Sequence, residues 1–302
     1  MYDLIIIGSG PAGLSAAVYG KRAGLELLVL EKAPMSGGQI LNTYEVDNYL
    51  GLPGINGFDM GMQFRAHADK LGVDFREAEV TEICDRGGSW LVKTDIGEFE
   101  TKTVILATGA VHARLDVPGE EELSGMGVSY CATCDGAFFR GRTVAVVGGG
   151  DVALEDAIYL ARTCEKVYLI HRRDELRGAM VLQEELKRLE NVEILYHTTV
   201  EEISGTEAVQ SLRIRDAESG SESELPVQGV FIAVGIHPNT ELVQGLLPLD
   251  EGGYISAGED CATAVPGLYA AGDVRKKPLR QIITAVADGA NAAVAAGMFC
   301  RK

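Results

Sequence analysis

The strongest constraint on the fold is a pattern of strand, glycine-rich turn, helix and strand that occurs twice in the 302 residues. In the first copy, LIII precedes the turn GSGPAG, and a helix-compatible stretch leads to the strand-like LELLVL, which ends at Glu31. In the second copy, TVAVV precedes GGG, and the strand-like KVYLI ends before His171. Gly8 to Glu31 and Gly148 to His171 both span 23 residues. Equal internal spacing predicts a duplicated dinucleotide-binding domain.

Each copy is followed by an antiparallel segment and a further strand. These late strands are expected at 103–107 and 229–234. GLYAAGDV and the alanine-rich segment 281–298 then predict a strand, a turn and a long helix that lack partners in the second copy. The predicted fold is therefore α/β, with two Rossmann-like domains of three-layer ββα architecture, the second inserted in the first. The expected boundaries are 1–114 and 244–302 for the discontinuous domain and 115–243 for the inserted one.

Composition limits the functions that are expected. Hydrophobic residues make up 46% and charged residues 24%, as in a soluble globular protein, and no apolar run is long enough to span a bilayer. No secretory signal is visible, and a net charge of −17 argues against nucleic-acid and membrane partners. Six cysteines are too few for a disulfide framework, and only Cys131 and Cys134 lie close together. These features predict a cytoplasmic protein.

The first glycine turn fits the G-x-G-x-x-G pattern between a strand and a helix. Its first glycine makes the turn, the second lets the backbone approach a pyrophosphate, and the third allows close helix–strand packing. The helix N-terminus offers amide donors to phosphates, and Glu31 is placed to accept ribose hydroxyls. A dinucleotide with a free ribose is therefore expected. The turn consists of Gly8, Ser9, Gly10, Pro11, Ala12 and Gly13.

The second turn carries a cationic segment where the first has Glu31. His171, Arg172 and Arg173 occupy that position, and Arg177 follows one turn later. Such a cluster binds a 2′-phosphate through charge-assisted hydrogen bonds, so NADPH is the expected ligand. The alternative interpretation of HRRDELR is a solvated basic helix start whose cations pair with the neighbouring acids. The second turn consists of Gly148, Gly149, Gly150, Asp151 and Val152, with alanine at the third small position.

Two dinucleotide sites in one chain suggest an electron relay from a nicotinamide to a flavin. Asp273 in AAGDV follows a predicted strand and could reach a second ligand group, such as a ribityl hydroxyl. Its alternative role is that of an ordinary turn residue.

The pair Cys131 and Cys134 could be a metal half-site, a structural staple or a redox centre. No second cysteine pair or paired histidine supplies further metal ligands, and a three-residue loop gains little from a staple. A redox dithiol remains, with Asp135 placed either to exchange a proton or to cap a turn. The pair lies 14 residues before Gly148, on the inserted domain. We therefore expect that domain to rotate, with hinges near 112–123 and 237–249, and to present nicotinamide and disulfide in turn to one flavin.

Taken together, GSGPAGLSAAVYGKRAGL, CATCDG, GGGDVALEDAIYL, HRRDELR and AAGDVRKKPLRQIITAVADGANAA resemble the low-molecular-weight thioredoxin reductases along essentially the whole chain. The resemblance implies a homodimer with FAD that passes electrons from NADPH through flavin and disulfide to thioredoxin, and no metal. It implies that Cys131 and Cys134 are the redox pair, Cys134 being nearer the flavin, and that Asp135 is the acid–base group. The implied FAD contacts are Gly8 to Gly13, Glu31, Gln39, Asn48, Asp273, Arg280, Gln281 and Ile282. The implied NADPH contacts are Gly148 to Val152, His171, Arg172, Arg173 and Arg177.

Two positions depart from the family pattern. Val152 stands where serine or threonine is usual, and Gly178 replaces the usual alanine after Arg177. Neither removes a charge, so NADPH remains the expected donor, with some tolerance of NADH. The alternatives are a flavin disulfide reductase for a glutaredoxin-like or peroxiredoxin partner, a ferredoxin-driven flavoenzyme, and a nucleotide-binding redox sensor.

Overall fold

A computed structural model describes residues 1–43, 46 and 48–301, without the side chains of Asn42 and Cys134. The chain forms two compact units, which are Met1–Val111 with His237–Lys302, and His112–Ile236. The divisions therefore fall after Val111 and Ile236, slightly before the expected boundaries at 114 and 243. The assignment of the first unit to FAD and the second to NADPH stays a prediction.

The helices and strands follow the duplicated pattern. From the N-terminus to the first passage between the units, the chain forms β1 (Tyr2–Ile7), α1 (Pro11–Arg22), β2 (Leu27–Glu31), α2 (Gly57–Lys70), β3 (Asp74–Glu77), β4 (Val80–Asp85), β5 (Trp90–Thr94), β6 (Gly97–Leu106) and β7 (Ala110–His112). It then forms β8 (Val128–Ser129), α3 (Ala132–Asp135), β9 (Thr143–Gly148), α4 (Asp151–Ala161), β10 (Lys166–Ile170), α5 (Met180–Leu186), β11 (Val192–Leu195), β12 (Thr198–Gly205), β13 (Val209–Asp216), β14 (Glu222–Pro226), β15 (Gly229–Ala233) and β16 (Ile236–Pro238). The last elements are β17 (Leu268–Ala270) and α6 (Ile282–Cys300).

The first unit is built on a parallel sheet with the order β3-β2-β1-β6, in which β17 also pairs with β6. The long strand β6 joins the parallel and antiparallel parts of one seven-stranded sheet, because its first half pairs antiparallel with β5 and its second half pairs parallel with β1. The sequence pattern predicts only this second half, as the strand 103–107.

The side chains of β1 alternate between the two faces of the parallel sheet, so the sheet is the middle layer between the helices and the antiparallel strands. Leu4 and Ile6 belong to the core cluster that contains the apolar faces of α1 and α6. Ile5 and Ile7 point to the other side of the sheet and pack with residues of β4 and β5. This period of two is the expected pattern for a strand that is buried on both faces.

Helices α1 and α6 pack closely because small residues face each other. A Cβ atom on Gly289 would lie 2.0 Å from the Ala12 carbonyl oxygen, so only glycine fits there. Ala292, Ala293 and Ala296 of α6 are fully buried. By length and composition alone α6 could cross a membrane, but these alanines form part of the core of the first unit.

The second unit repeats this architecture with the parallel order β11-β10-β9-β15-β8 and the antiparallel sheet β12-β13-β14. Val144 and Val146 of β9 pack with α4, whereas Ala145 and Val147 pack with β12 and β13. The predicted fold class, two Rossmann-like domains with antiparallel inserts, is confirmed.

Candidate functional site

The first glycine turn joins β1 to α1. Gly8 has a φ of +100°, and a Cβ atom there would lie 2.4 Å from the Ala107 carbonyl oxygen. A Cβ atom on Gly13 would lie 1.9 Å from the Gly8 carbonyl oxygen, so the packing of the chain itself requires both glycines. At Gly10, by contrast, no atom would be nearer than 3.9 Å. The open space beside Gly10 fits a phosphate that approaches the backbone closely.

Glu31 at the end of β2 is bonded to the turn. Its Oε2 atom accepts hydrogen bonds from the Ser9 N–H at 2.7 Å and the Ser9 Oγ at 2.9 Å, and its Oε1 accepts one from the Ala33 N–H at 2.9 Å. A carboxylate has about four acceptor sites, so capacity remains for a ribose hydroxyl. The ribose contact stays a prediction.

Two further side chains with implied FAD roles contact other parts of the first unit. Gln39 Nε2 donates a hydrogen bond to the Ala110 carbonyl oxygen. Asn48 Nδ2 donates to Gln281 Oε1 at 2.8 Å, across a separation of 233 residues. Ile282, the first residue of α6, packs against a small apolar cluster. The fold therefore brings Asn48 and Gln281 together, as a common ligand would require.

The segment after β17 holds two buried polar atoms that lack a hydrogen-bond partner in the part of the chain described, Asp273 Oδ1 and Arg280 Nε. Lys277 Nζ lies 3.7 Å from Asp273 Oδ1, and the Arg280 guanidinium lies 4.0 Å from the Tyr254 ring centroid. Burial raises the pKa of Asp273, although nearby Lys277 and Arg280 oppose this effect. Orphaned polar atoms are rare in folded proteins, so an acceptor and a donor here fit a polar ligand such as the ribityl flavin.

Asp288 of α6 organises the same segment, and motif analysis did not find it. Its Oδ2 atom accepts hydrogen bonds from the Gly272 N–H at 3.0 Å, Arg275 Nε at 2.9 Å and Lys277 Nζ at 2.9 Å. Its Oδ1 accepts another from Arg275 Nη2 at 2.9 Å. Burial raises the pKa of Asp288, but these cationic donors outweigh it and hold the pKa below the ordinary value. The only sequence signal is the three cations in DVRKK, two of which bind Asp288, and the lone acid of ADGA.

The second glycine turn is a geometric copy of the first. A Cβ atom on Gly148 would lie 2.4 Å from the Ala233 carbonyl oxygen, the same distance as at Gly8. Gly150, like Gly10, has open space around the position of a Cβ atom. Gly149 is required for another reason, because its Cβ would lie 2.3 Å from the His171 ring.

The cationic segment divides into one buried residue and three exposed ones. His171 is buried, its Nε2 lies 3.0 Å from the Glu175 carbonyl oxygen, and burial lowers its pKa. This placement supports the turn, whereas a nucleotide contact by His171 stays a prediction. Arg172, Arg173 and Arg177 are exposed and form no ion pair with any described acid. The alternative of a basic helix start does not fit, because α5 begins only at Met180.

Cys131 is the residue before α3, and its sulfur is in a disulfide. The Cys134 side chain lies outside the described residues. Ser129, buried beside Cys131, donates its hydroxyl to Asp135 Oδ2 at 2.6 Å and accepts the Cys131 N–H at 3.1 Å. The serine thus joins the carboxylate to the redox motif, a link that sequence reasoning missed. The described residues contain no group of three or more His, Cys, Asp or Glu side chains that could hold a metal ion.

Comparison with known proteins identifies the family. The model of the pyridine nucleotide-disulphide oxidoreductases matches residues 2–289. The thioredoxin reductase of Listeria innocua is 46% identical over 290 residues, which cover 96% of this chain and 91% of that protein. The chain belongs to the thioredoxin reductases of this family. The resemblance read from CATCDG and HRR is thereby confirmed.

Solved structures of thioredoxin reductases agree with this assignment. The enzyme from Streptococcus pyogenes superposes with a TM-score of 0.83 at 42% identity, covering 100% of this chain and 98% of that one. The enzyme from Lactococcus lactis, solved in its FR conformation, gives a TM-score of 0.80 at 43% identity and covers 100% and 99%. The similarity to these thioredoxin reductases therefore covers residues of both units.

Proposed function

We propose that this thioredoxin reductase passes electrons from NADPH and FAD to the disulfide of thioredoxin through the Cys131–Cys134 pair. The observation that carries the proposal is that the second unit contains both the Cys131 disulfide and, after its glycine turn, three exposed arginines that form no ion pair with a described acid. Family membership supports the same reaction.

Bound FAD would supply the redox chemistry that connects a hydride donor, NADPH, to the two-electron reduction of the disulfide. The first unit has the residues to hold it. In the proposal, amides at the start of α1 bind the pyrophosphate, Glu31 accepts ribose hydroxyls, and Asp273 Oδ1 and Arg280 Nε bind polar groups of the ribityl flavin. Asn48, Gln281 and the remaining implied contacts complete the site. The two orphaned atoms are the support for this fit.

The cysteine pair carries out the second half of the reaction. Two electrons and one proton break the S–S bond and leave one thiol and one thiolate. The thiolate then attacks the partner's disulfide, and the second cysteine resolves the mixed disulfide, which releases the partner as a dithiol and re-forms the bond. Asp135 supplies and removes the proton in this proposal, with Ser129 holding its carboxylate at 2.6 Å.

We further propose that the second unit rotates between the two half-reactions. Support comes from the two places where the chain crosses between the units, after Val111 and after Ile236. Each crossing closely follows a glycine with positive φ, Gly109 at +68° and Gly235 at +139°. Thr108 and Asn239 exchange hydrogen bonds of 2.7 and 2.8 Å on the first unit's side, and the Ala113 N–H donates to the Gly235 carbonyl at 3.0 Å on the second. The flexible part is thus confined to a few residues.

The deciding experiment uses purified protein with bound flavin, NADPH and thioredoxin. The wild-type protein is expected to reduce thioredoxin, measured through the reduction of insulin or DTNB by the thioredoxin produced. In Cys131→Ser, NADPH should still bleach the flavin absorbance, but thioredoxin should no longer be reduced. The matched control is Cys164→Ser, a buried free thiol in the same unit. Reduction of thioredoxin by Cys131→Ser, or slow turnover of wild type with every thioredoxin, contradicts the proposal, and the second result favours a redox sensor.

We also propose a cytoplasmic homodimer. Four described cysteines are free thiols, which suits a reducing compartment. Exposed apolar side chains on α1 and α6, such as Tyr19 and Met298, suit a subunit contact. Light scattering coupled to gel filtration measures the mass of the particle, and a monomer at micromolar concentration contradicts the dimer.

The alternative partners, a glutaredoxin-like protein or a peroxiredoxin, are tested by replacing thioredoxin with each of them in the NADPH-dependent reduction assay described above.

A further inference from the structure

Asp151, the first residue of α4, is bonded to the loop that carries the arginines. Its Oδ1 atom accepts a hydrogen bond from the Ala179 N–H at 2.7 Å. The two residues are 28 positions apart. The carboxylate is therefore bonded to the backbone two residues after Arg177.

Further contacts join this loop to the second glycine turn. The Gly149 carbonyl oxygen accepts hydrogen bonds from the Arg177 N–H at 2.7 Å and the Gly178 N–H at 3.0 Å. Gln183 of α5 donates from Nε2 to the Gly178 carbonyl oxygen at 2.7 Å. The backbone of Arg177 is thus held directly against the turn that precedes α4.

Close packing leaves this loop little freedom. A Cβ atom on Gly178 would lie 2.6 Å from Leu154 Cδ2 and 3.3 Å from the Asp151 nitrogen. A methyl group at this position would require the Leu154 side chain to move, so glycine lets the loop lie close against α4.

A carboxylate at this position is otherwise unfavourable for a nucleotide enzyme. The first turn of α4 is where a pyrophosphate would bind the helix N-terminus, and a free aspartate there repels phosphate. Because Oδ1 is bonded to the Ala179 N–H, part of this negative charge is directed to the loop instead.

We propose that Asp151 is a positioning residue for coenzyme selectivity. It holds the Arg177 loop against the glycine turn, so that the sites for the pyrophosphate and the 2′-phosphate keep a fixed separation. NADH has no 2′-phosphate and gains nothing from that separation. The inference rests on the proposed function, in which the arginines bind NADPH.

The test compares Asp151→Ala with Asp151→Asn in the flavin-loaded, full-length protein. Alanine removes the acceptor, and losing one charge-assisted bond should lower the ratio of kcat/KM for NADPH over NADH about tenfold. Asparagine keeps an oxygen acceptor and should restore most of the ratio. Calorimetric titration with adenosine 2′,5′-bisphosphate should show the same order, with a smaller change for 5′-AMP.

If Asp151→Ala lowers kcat/KM equally for NADPH and NADH, the proposal is overturned, because equal losses indicate that Asp151 contacts a part common to both nucleotides. An asparagine variant as impaired as the alanine variant would overturn it as well. Thermal melting shows whether Asp151→Ala folds. If it does not, Gln183→Met is used in its place, because it removes the hydrogen bond from Gln183 to the Gly178 carbonyl oxygen of the same loop. An unchanged ratio of kcat/KM for NADPH over NADH in Gln183→Met contradicts the inference. A wild type that does not prefer NADPH refutes the proposed role of the arginines, whatever Asp151 does.

Discussion

Asp288 shows how one buried carboxylate can hold a loop segment in place. The side chains of Lys277 and Asp288 are only 5% and 7% exposed, and Arg275 is 13% exposed. Two cations are thus buried against the Asp288 carboxylate, which also binds the Gly272 N–H, next to Asp273. Removing this carboxylate leaves Arg275 without a carboxylate partner and Lys277 with only Asp273, 3.7 Å away, and a buried cation without its partner costs more than the pair itself contributes.

We expect Asp288→Asn to lower the free energy of unfolding by about 3–5 kcal/mol and to weaken flavin retention. Denaturant unfolding and release of flavin fluorescence measure the two effects. The matched control is Asp69→Asn, which breaks the exposed pair with Arg65 and should change stability by about 1 kcal/mol or less. Similar losses in both variants would show that the buried network has no special role.

The same residue predicts a pH dependence. The pKa of Asp288 is below its ordinary value of 3.8 in the folded chain, so folding favours the ionised form. Its stabilisation is therefore fully present above the unfolded pKa and is lost as the pH falls through the folded pKa. The stability difference between wild type and Asp288→Asn should be larger at pH 7 than at pH 3. A difference that is constant over this range contradicts the shift.

At the scale of elements, Glu120 joins the connection between β7 and β8 to the redox motif. Its carboxylate is 2% exposed and accepts hydrogen bonds from the Leu115 N–H at 3.1 Å, the Asp116 N–H at 2.7 Å and the Tyr130 hydroxyl at 2.7 Å. Tyr130 directly precedes Cys131. Much of the predicted hinge at 112–123 is thereby fixed within the second unit.

Glu120→Gln should lower the free energy of unfolding by about 1–3 kcal/mol, because an amide cannot accept from all three donors. Burial, together with Glu120, raises the pKa of Tyr130 to about 12, so its ultraviolet titration should shift to lower pH in the variant. Glu121→Gln is the control, since the Glu121 side chain is 82% exposed. An unchanged tyrosine titration would contradict the link.

At the scale of the whole molecule, the two passages between the units determine whether the second unit can rotate. A Cβ atom on Gly235 would meet Ala113 Cβ only at 3.9 Å, so a side chain there is opposed by the φ of +139° and not by a clash. Substitution therefore tests the backbone freedom of this passage without disturbing its packing.

Gly235→Ala should lower the free energy of unfolding by roughly 1–2 kcal/mol. It should also lower kcat, because each 1.4 kcal/mol added to the barrier for rotation of the second unit slows the rotation about tenfold. The control is Gly220→Ala, at a φ of +72° with its nearest atom also at 3.9 Å. It should cost similar stability and leave kcat unchanged. Equal kcat values for the two variants would argue against a hinge at Gly235.

The local pattern predicted the duplicated sheets, both glycine turns, the arginine cluster and the redox cysteines. These features depend on short-range effects, such as the alternation of apolar side chains, the tolerance of glycine for positive φ, and fixed spacing along a strand–turn–helix unit. Gly8 and Gly148 show this, because each begins a turn that lies 23 residues before the end of its strand–turn–helix unit, at Glu31 or His171.

Other features were decided only by tertiary structure. The bonds of Asp288 to Gly272, Glu120 to Tyr130 and Asp151 to Ala179 join residues 16, 10 and 28 positions apart. No local pattern marks them, since a buried carboxylate acquires its partners only when packing removes water and brings donors within reach. The sequence by itself therefore determined the chemistry that this protein can perform. Tertiary packing decided which carboxylates hold the reacting segments in place.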